Sequence, residues 1–137
     1  MRDASARWPP PILVATLLSV LFGSLHVADE VARGEQYTEP GLLLLVPIVI
    51  VVYLYGASLA LRDNELGYWT LAVISAVGFY SVFLAHAFEL SGAPSAEDIA
   101  AASGSLFVWV VIMQGAAGLG VLLLCIAALA RLRWKPV

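Results

Sequence analysis

Four runs of apolar residues, each about as long as a membrane-crossing helix, take up nearly the whole chain: positions 11–31, 41–61, 66–90 and 105–130 of 137. A helix needs about 20 apolar residues to cross the ~30 Å hydrocarbon layer. Once the four runs and their short connections are placed, no length remains for a separate water-soluble domain. Composition agrees. Only 12% of residues are charged, about half the share usual in soluble domains. The expected fold is all-α, an integral membrane antiparallel four-helix bundle, with residues 1–137 forming one transmembrane domain.

Local signals set the ends of these spans. The first opens on a proline run, suited to a helix's first turn because proline has no amide to satisfy. Trp8 precedes it at the level where tryptophans favour lipid headgroups. Its apolar stretch from Pro11 to Val27 is 17 residues long, against about 7–15 in a cleaved signal peptide. The following SLHVADE lacks the paired small residues of a cleavage site, so the span is read as retained. Pro47 falls in the second turn of the second span, where it removes a backbone hydrogen bond and is expected to kink the helix. Tyr68 and Trp69 form an interfacial belt at the start of the third span. Between the third and fourth spans, Ser95 followed by Asp98 resembles a capping box. A short surface helix is expected over residues 96–103.

Orientation follows from the basic residues of the short loops. Arg2, Arg7, Arg62, Arg131, Arg133 and Lys135 fall on one face and Arg33 alone on the other, six against one. Both termini are therefore expected in the cytoplasm. Asp29, Glu30, Glu35, Glu39, Glu89, Glu97 and Asp98 then form an acidic extracytoplasmic face. The basic residues are confined to loops and termini, so nucleic acid is not an expected partner. The expected partners are the lipid bilayer and other membrane subunits or a second copy.

In lipid, small residues mark close helix contacts. The fourth span carries Gly115, Ala116, Ala117, Gly118 and Gly120, with Ala116 and Gly120 at the small-xxx-small spacing. Gln114 lies roughly 13–14 Å below that helix's outer end. Its carboxamide needs a partner, for which Tyr53, Tyr55 and Tyr80 are the candidates. Cys125, the one cysteine, excludes an intramolecular disulfide or dithiol pair and reads as an inert buried thiol.

The two histidines are the residues that point to chemistry. His26 lies about 22 Å along the first span and His86 about 25 Å along the third, counted at 1.5 Å per residue. The two spans run the same way, so the imidazoles share a depth near the outer interface. Each is followed three residues later by a carboxylate on the same helical face, His26 by Asp29 and His86 by Glu89, and Glu30 adds a carboxylate at i+4. Imidazole nitrogens ligate transition metals or haem iron. Carboxylates serve as further ligands or hold the ring in one tautomer. His26, His86, Asp29, Glu30 and Glu89 are thus candidate metal ligands. His26 and His86 are also candidate axial ligands of a haem, if the two helices stand diagonally. The bland alternative is a pair of interfacial histidines satisfied by water and their own carboxylates.

No carboxylate, lysine or arginine occupies the middle of a span, which weighs against an ion or proton pathway. Hydrolase and phosphate-loop motifs are absent, which weighs against an enzyme without excluding one. The leading expectation is a non-catalytic membrane subunit or assembly protein. A haem- or metal-binding membrane protein is second, and a small transporter or pH sensor third.

Overall fold

The computed structural model describes residues 9–34, 40–90 and 94–134, with backbone alone at 40–43. Arg2, Arg7, Trp8, Glu35, Gln36, Glu39 and Lys135 lie outside the described residues. The described chain is helical, with no strand: α1 (Pro9–Ala32), α2 (Pro40–Ala60), α3 (Glu65–Gly78), a π-helical segment (Phe79–Leu84), α4 (Ala85–Ala87), α5 (Ala96–Ser103) and α6 (Ser105–Arg133). Three helical stretches are long and apolar enough to cross a membrane: Pro9–Ala32, Glu65–Ala87 and Ser105–Arg133. A shorter apolar stretch, Leu44–Ala60, belongs to α2, which continues through Pro47.

Specific residues terminate these helices. Gly34 at φ 72° stops α1 in the left-handed conformation that glycine adopts without a Cβ clash. Asp63 turns the chain between α2 and α3 at φ 58°, and the Asn64 side chain then caps α3 by accepting from the Leu66 amide at 2.9 Å. The buried Tyr68 hydroxyl donates to Asp63 at 2.7 Å and fixes this turn from below. At Gly67 the two helices are so close that a Cβ would run into the backbone of Ala60. The third stretch ends sooner than the expected residue 90. Its helix stops at Ala87, and Glu89 takes the left-handed conformation at φ 51°. The fourth reaches Arg133 rather than residue 130, bringing that guanidinium over the Trp69 ring at 5.9 Å.

Helix α1 packs on α6 and α2, α3 packs on α2 and α6, and α5 lies on α6. Contacts at both ends give the directions. Arg133 at the end of α6 meets Trp69 at the start of α3. Ser103, just before α6, donates to Asp29 near the end of α1 at 2.8 Å. Helices α1 and α3 therefore run together, and α6 runs against both. Ile12, Tyr53, Tyr68, Leu71, Val121 and Cys125 fill the core at the end nearer the α2–α3 turn. Large apolar side chains also face outward along every long helix, among them Leu21, Val51, Val73 and Leu123. Water does not favour such a surface over whole helices; lipid does.

The small residues of α6 divide. Gly115 is a notch for the Phe83 ring, which a Cβ would approach to 2.6 Å. Gly118 is buried beside Ser75 and Phe79 at ordinary contact distance. The Ala116–Gly120 pair is not a helix contact within the chain: Ala116 is exposed and nothing lies within 4 Å of a Cβ at Gly120. The close contacts follow the buried face through 111, 115, 118 and 121 instead.

Candidate metal centre

The last turns of α1 carry His26 and Glu30 four residues apart, which on a helix puts them on one face. The imidazole Nε2 lies 3.3 Å from a Glu30 carboxylate oxygen. Both side chains are buried, at 4% and 3% exposure. A carboxylate buried this deeply is costly unless something shares its charge.

His86 reaches the same point from the third helical stretch. Its ring meets His26 edge to face, with centroids 5.3 Å apart and planes at 77°. On its other side His26 stacks on Phe107 of α6 at 6.4 Å. His86 Nδ1 is 2.8 Å from the carbonyl oxygen of Pro94. A carbonyl only accepts, so Nδ1 carries the proton and Nε2 of the neutral ring keeps its lone pair. This is the arrangement found behind metal-binding histidines, where a backbone carbonyl holds one nitrogen and leaves the other free to ligate.

His26, Glu30 and His86 together offer one ligand atom each, all within 4.8 Å of one another, from three buried residues. His26 Nδ1 and Glu30 Oε2 are buried with no hydrogen-bond partner among the described residues. Folded proteins seldom leave buried polar atoms in this state, and a bound ion would satisfy the carboxylate oxygen.

The other candidate ligands stand elsewhere. Asp29 has the helical spacing from His26, but its carboxylate accepts from Arg33 Nε at 2.7 Å and from the Ser103 hydroxyl. A guanidinium on the next turn and a hydroxyl from α5 already occupy it. Glu89 is exposed and three residues beyond His86 only in number. The helix has ended before it, so i+3 no longer means the same face.

Two features that shape the site carry no signal in the sequence. The first is the π segment. A π turn adds about one residue without adding a turn, so the chain beyond it is rotated by about 100° relative to a continuous α-helix. That rotation sets the direction of His86. The sequence FYSVFL carries no signature of it, although Phe83 seated in the Gly115 notch lies within it. The second is Pro94, placed by the capping box of α5. Ser95 Oγ accepts from the Asp98 amide at 3.1 Å, and Asp98 accepts from the Ser95 amide at 3.0 Å. The Ser95 hydroxyl also donates to the Asp98 carboxylate at 2.8 Å, and that bond together with the one from the Ser95 amide holds the Asp98 carboxyl below its ordinary value. The Ser95–Asp98 pattern signals the helix, but not that the residue before it faces a histidine.

No family model, curated protein or solved structure matches this chain.

Proposed function

We propose that the chain is a four-span antiparallel membrane bundle that binds one divalent transition-metal ion through His26, Glu30 and His86 near its extracytoplasmic end. The observation that carries this reading is the convergence of three buried ligand groups from two helical stretches. Zinc takes nitrogen and oxygen ligands at about 2.0–2.2 Å in tetrahedral geometry, so two ligand atoms on one ion stand roughly 3.3–3.5 Å apart. His26 Nε2 and Glu30 are already at 3.3 Å. The His86 ligand atom lies within 4.8 Å of the other two, so it has at most about 1.5 Å to close to reach the same tetrahedral edge.

Two neutral imidazoles and one carboxylate form a three-ligand set with a fourth position open, the donor set of zinc sites that keep a place for water or a second ligand. The metal would neutralise Glu30, and the Pro94 carbonyl would keep His86 in its ligating tautomer. Of the two cofactor expectations, a single ion is favoured over haem. Rings already in edge contact leave no slot for a porphyrin between them.

The test is metal analysis of protein purified in lipid nanodiscs and equilibrated with zinc. One ion per chain is expected, with loss in His26→Ala and His86→Ala. Cobalt in place of zinc should give the visible bands of a tetrahedral site and no Soret band. If the wild-type protein retains no more metal than empty nanodiscs, the metal reading fails. The chain then stands as a non-catalytic membrane subunit working through its helix faces.

A further inference from the structure

A cavity of about 340 Å³ lies among α1, α2, the third stretch and α6 and is separate from the histidine cluster. Apolar side chains such as Val49 and Val77 make most of its wall. Ser19, Ser24, Tyr53, Ser81 and Gln114 interrupt that wall, and two of them have an unsatisfied oxygen. Gln114 Oε1 is buried with no hydrogen-bond partner among the described residues, and so is Ser19 Oγ. Ser19 itself is only 5% exposed. Gly23 stands against the Gln114 amide, where a Cβ would come to 3.3 Å, so the glycine lets the carboxamide lie along α1. The expected tyrosine partners do not reach it. Tyr55 and Tyr80 are exposed, and Tyr53 lines the same cavity without a hydrogen bond to Gln114 among the described contacts.

From this we infer that the cavity is a binding site for a neutral lipid-like molecule bearing a hydroxyl group. The lining contains no Asp, Glu, Lys, Arg or His, so a charged headgroup would be desolvated without compensation. Gln114 Oε1 can only accept, so the ligand must donate, which a hydroxyl does and a bare ketone or alkane does not. Ser19 can accept or donate beside it. The apolar walls suit an alkyl chain and give water few partners. The volume is within the range of small-molecule pockets. The inference rests on the membrane placement of the four helices but not on metal binding.

The probe is a decanol carrying a photoactivatable diazirine on its chain, used with intact protein in phosphatidylcholine nanodiscs. Labelling should saturate and map to the cavity-lining turns of α1 and α2. It should be competed by 1-decanol and not by decane. Gln114→Leu should raise the 1-decanol concentration for half-competition roughly tenfold, the effect of one lost hydrogen bond at a buried site. Val49→Trp, which fills the cavity, should abolish labelling. Gly120→Leu, which points into open space, should leave it unchanged. Metal content and thermal stability measured on the same samples separate a lost pocket from a lost fold or a lost metal site. Non-saturable labelling, equal competition by decane, or a folded Gln114→Leu protein with unchanged competition would each overturn the inference.

Discussion

Asp29 and Glu30 are neighbours in the chain and have opposite fates. Asp29 is paired with Arg33 and Ser103, while Glu30 is buried against His26 with one oxygen unpartnered among the described residues. The two are therefore expected to respond differently to loss of charge. Glu30→Gln keeps the shape and removes the buried charge. Without metal it should be no less stable than wild type, because one oxygen of the buried carboxylate has no partner among the described residues and its desolvation offsets the contact with His26. With metal it should lose the thermal stabilisation that zinc gives the wild type. Asp29→Ala and Glu89→Ala should keep full metal stoichiometry. If Glu30→Gln melts lower than wild type without metal and the zinc-induced shift persists, Glu30 is structural. The glycines of α6 make a second residue-scale case. Gly115→Ala forces a methyl into the Phe83 ring and should cost about 1–3 kcal/mol, as overpacking does. Gly120→Ala should fall within about 0.5 kcal/mol of wild type. Thermal or denaturant unfolding in nanodiscs compares them directly.

At the level of elements, the π segment and α5 together hold His86 in place. One supplies the direction of the ring and the other the carbonyl that fixes its tautomer. Deleting Val82 would return the segment toward a regular α-helix and swing His86 by about 100° away from His26. Metal stoichiometry should fall with helical content retained, and a deletion variant that still binds one ion would show that the π turn does not aim the ligand. The capping box gives a pH effect with a definite sign. Asp98 has a lowered carboxyl pKa in the folded protein. Its contribution is therefore present above the ordinary carboxylate range and lost as pH falls through the lowered value. Protection of the Ser95 and Asp98 amides, taken relative to intrinsic exchange at each pH, should fall in that acidic window, and Asp98→Asn should remove this pH dependence. The same elements mark what the sequence makes legible. Rise per residue is fixed, so the shared depth of His26 and His86 follows from counting. Capping chemistry is local, so the helix at Ala96–Ser103 follows from Ser95 and Asp98. Azimuth is not local. It depends on a π turn that no residue type announces and on where a helix stops, which is why spacing alone puts Glu89 on the face of His86 and the folded chain does not. Choosing between Asp29 and Glu30 depends on Arg33 and on Ser103, the latter 74 residues away.

For the molecule as a whole, the arrangement of charge bears on which side of the membrane the proposed site faces. Arg62, Arg131 and Arg133 lie at the end where α6 finishes over Trp69, and Arg33 lies at the other, beyond the histidines. Basic residues are retained on the cytoplasmic side during insertion. The histidine end is therefore expected outside, where an ion would arrive without crossing the bilayer. The outward apolar faces of the long helices and the absence of charge at mid-span favour placement in the bilayer, and the choice of side rests on the basic residues alone. A thiol-reactive, membrane-impermeant label tests it, using cysteines introduced one at a time into a Cys125→Ala background. Ser95→Cys and Gln36→Cys should react in intact cells, and Arg62→Cys only after lysis. Moving the basic excess should matter too. Replacing Arg131, Arg133 and Lys135 with glutamine while adding lysines beside Arg33 should produce a mixed or inverted population. If Arg62→Cys labels in intact cells, the orientation is reversed and the proposed site faces the cytoplasm. The ligand geometry would be unchanged, but the ion would have to come from the tightly buffered pool inside the cell.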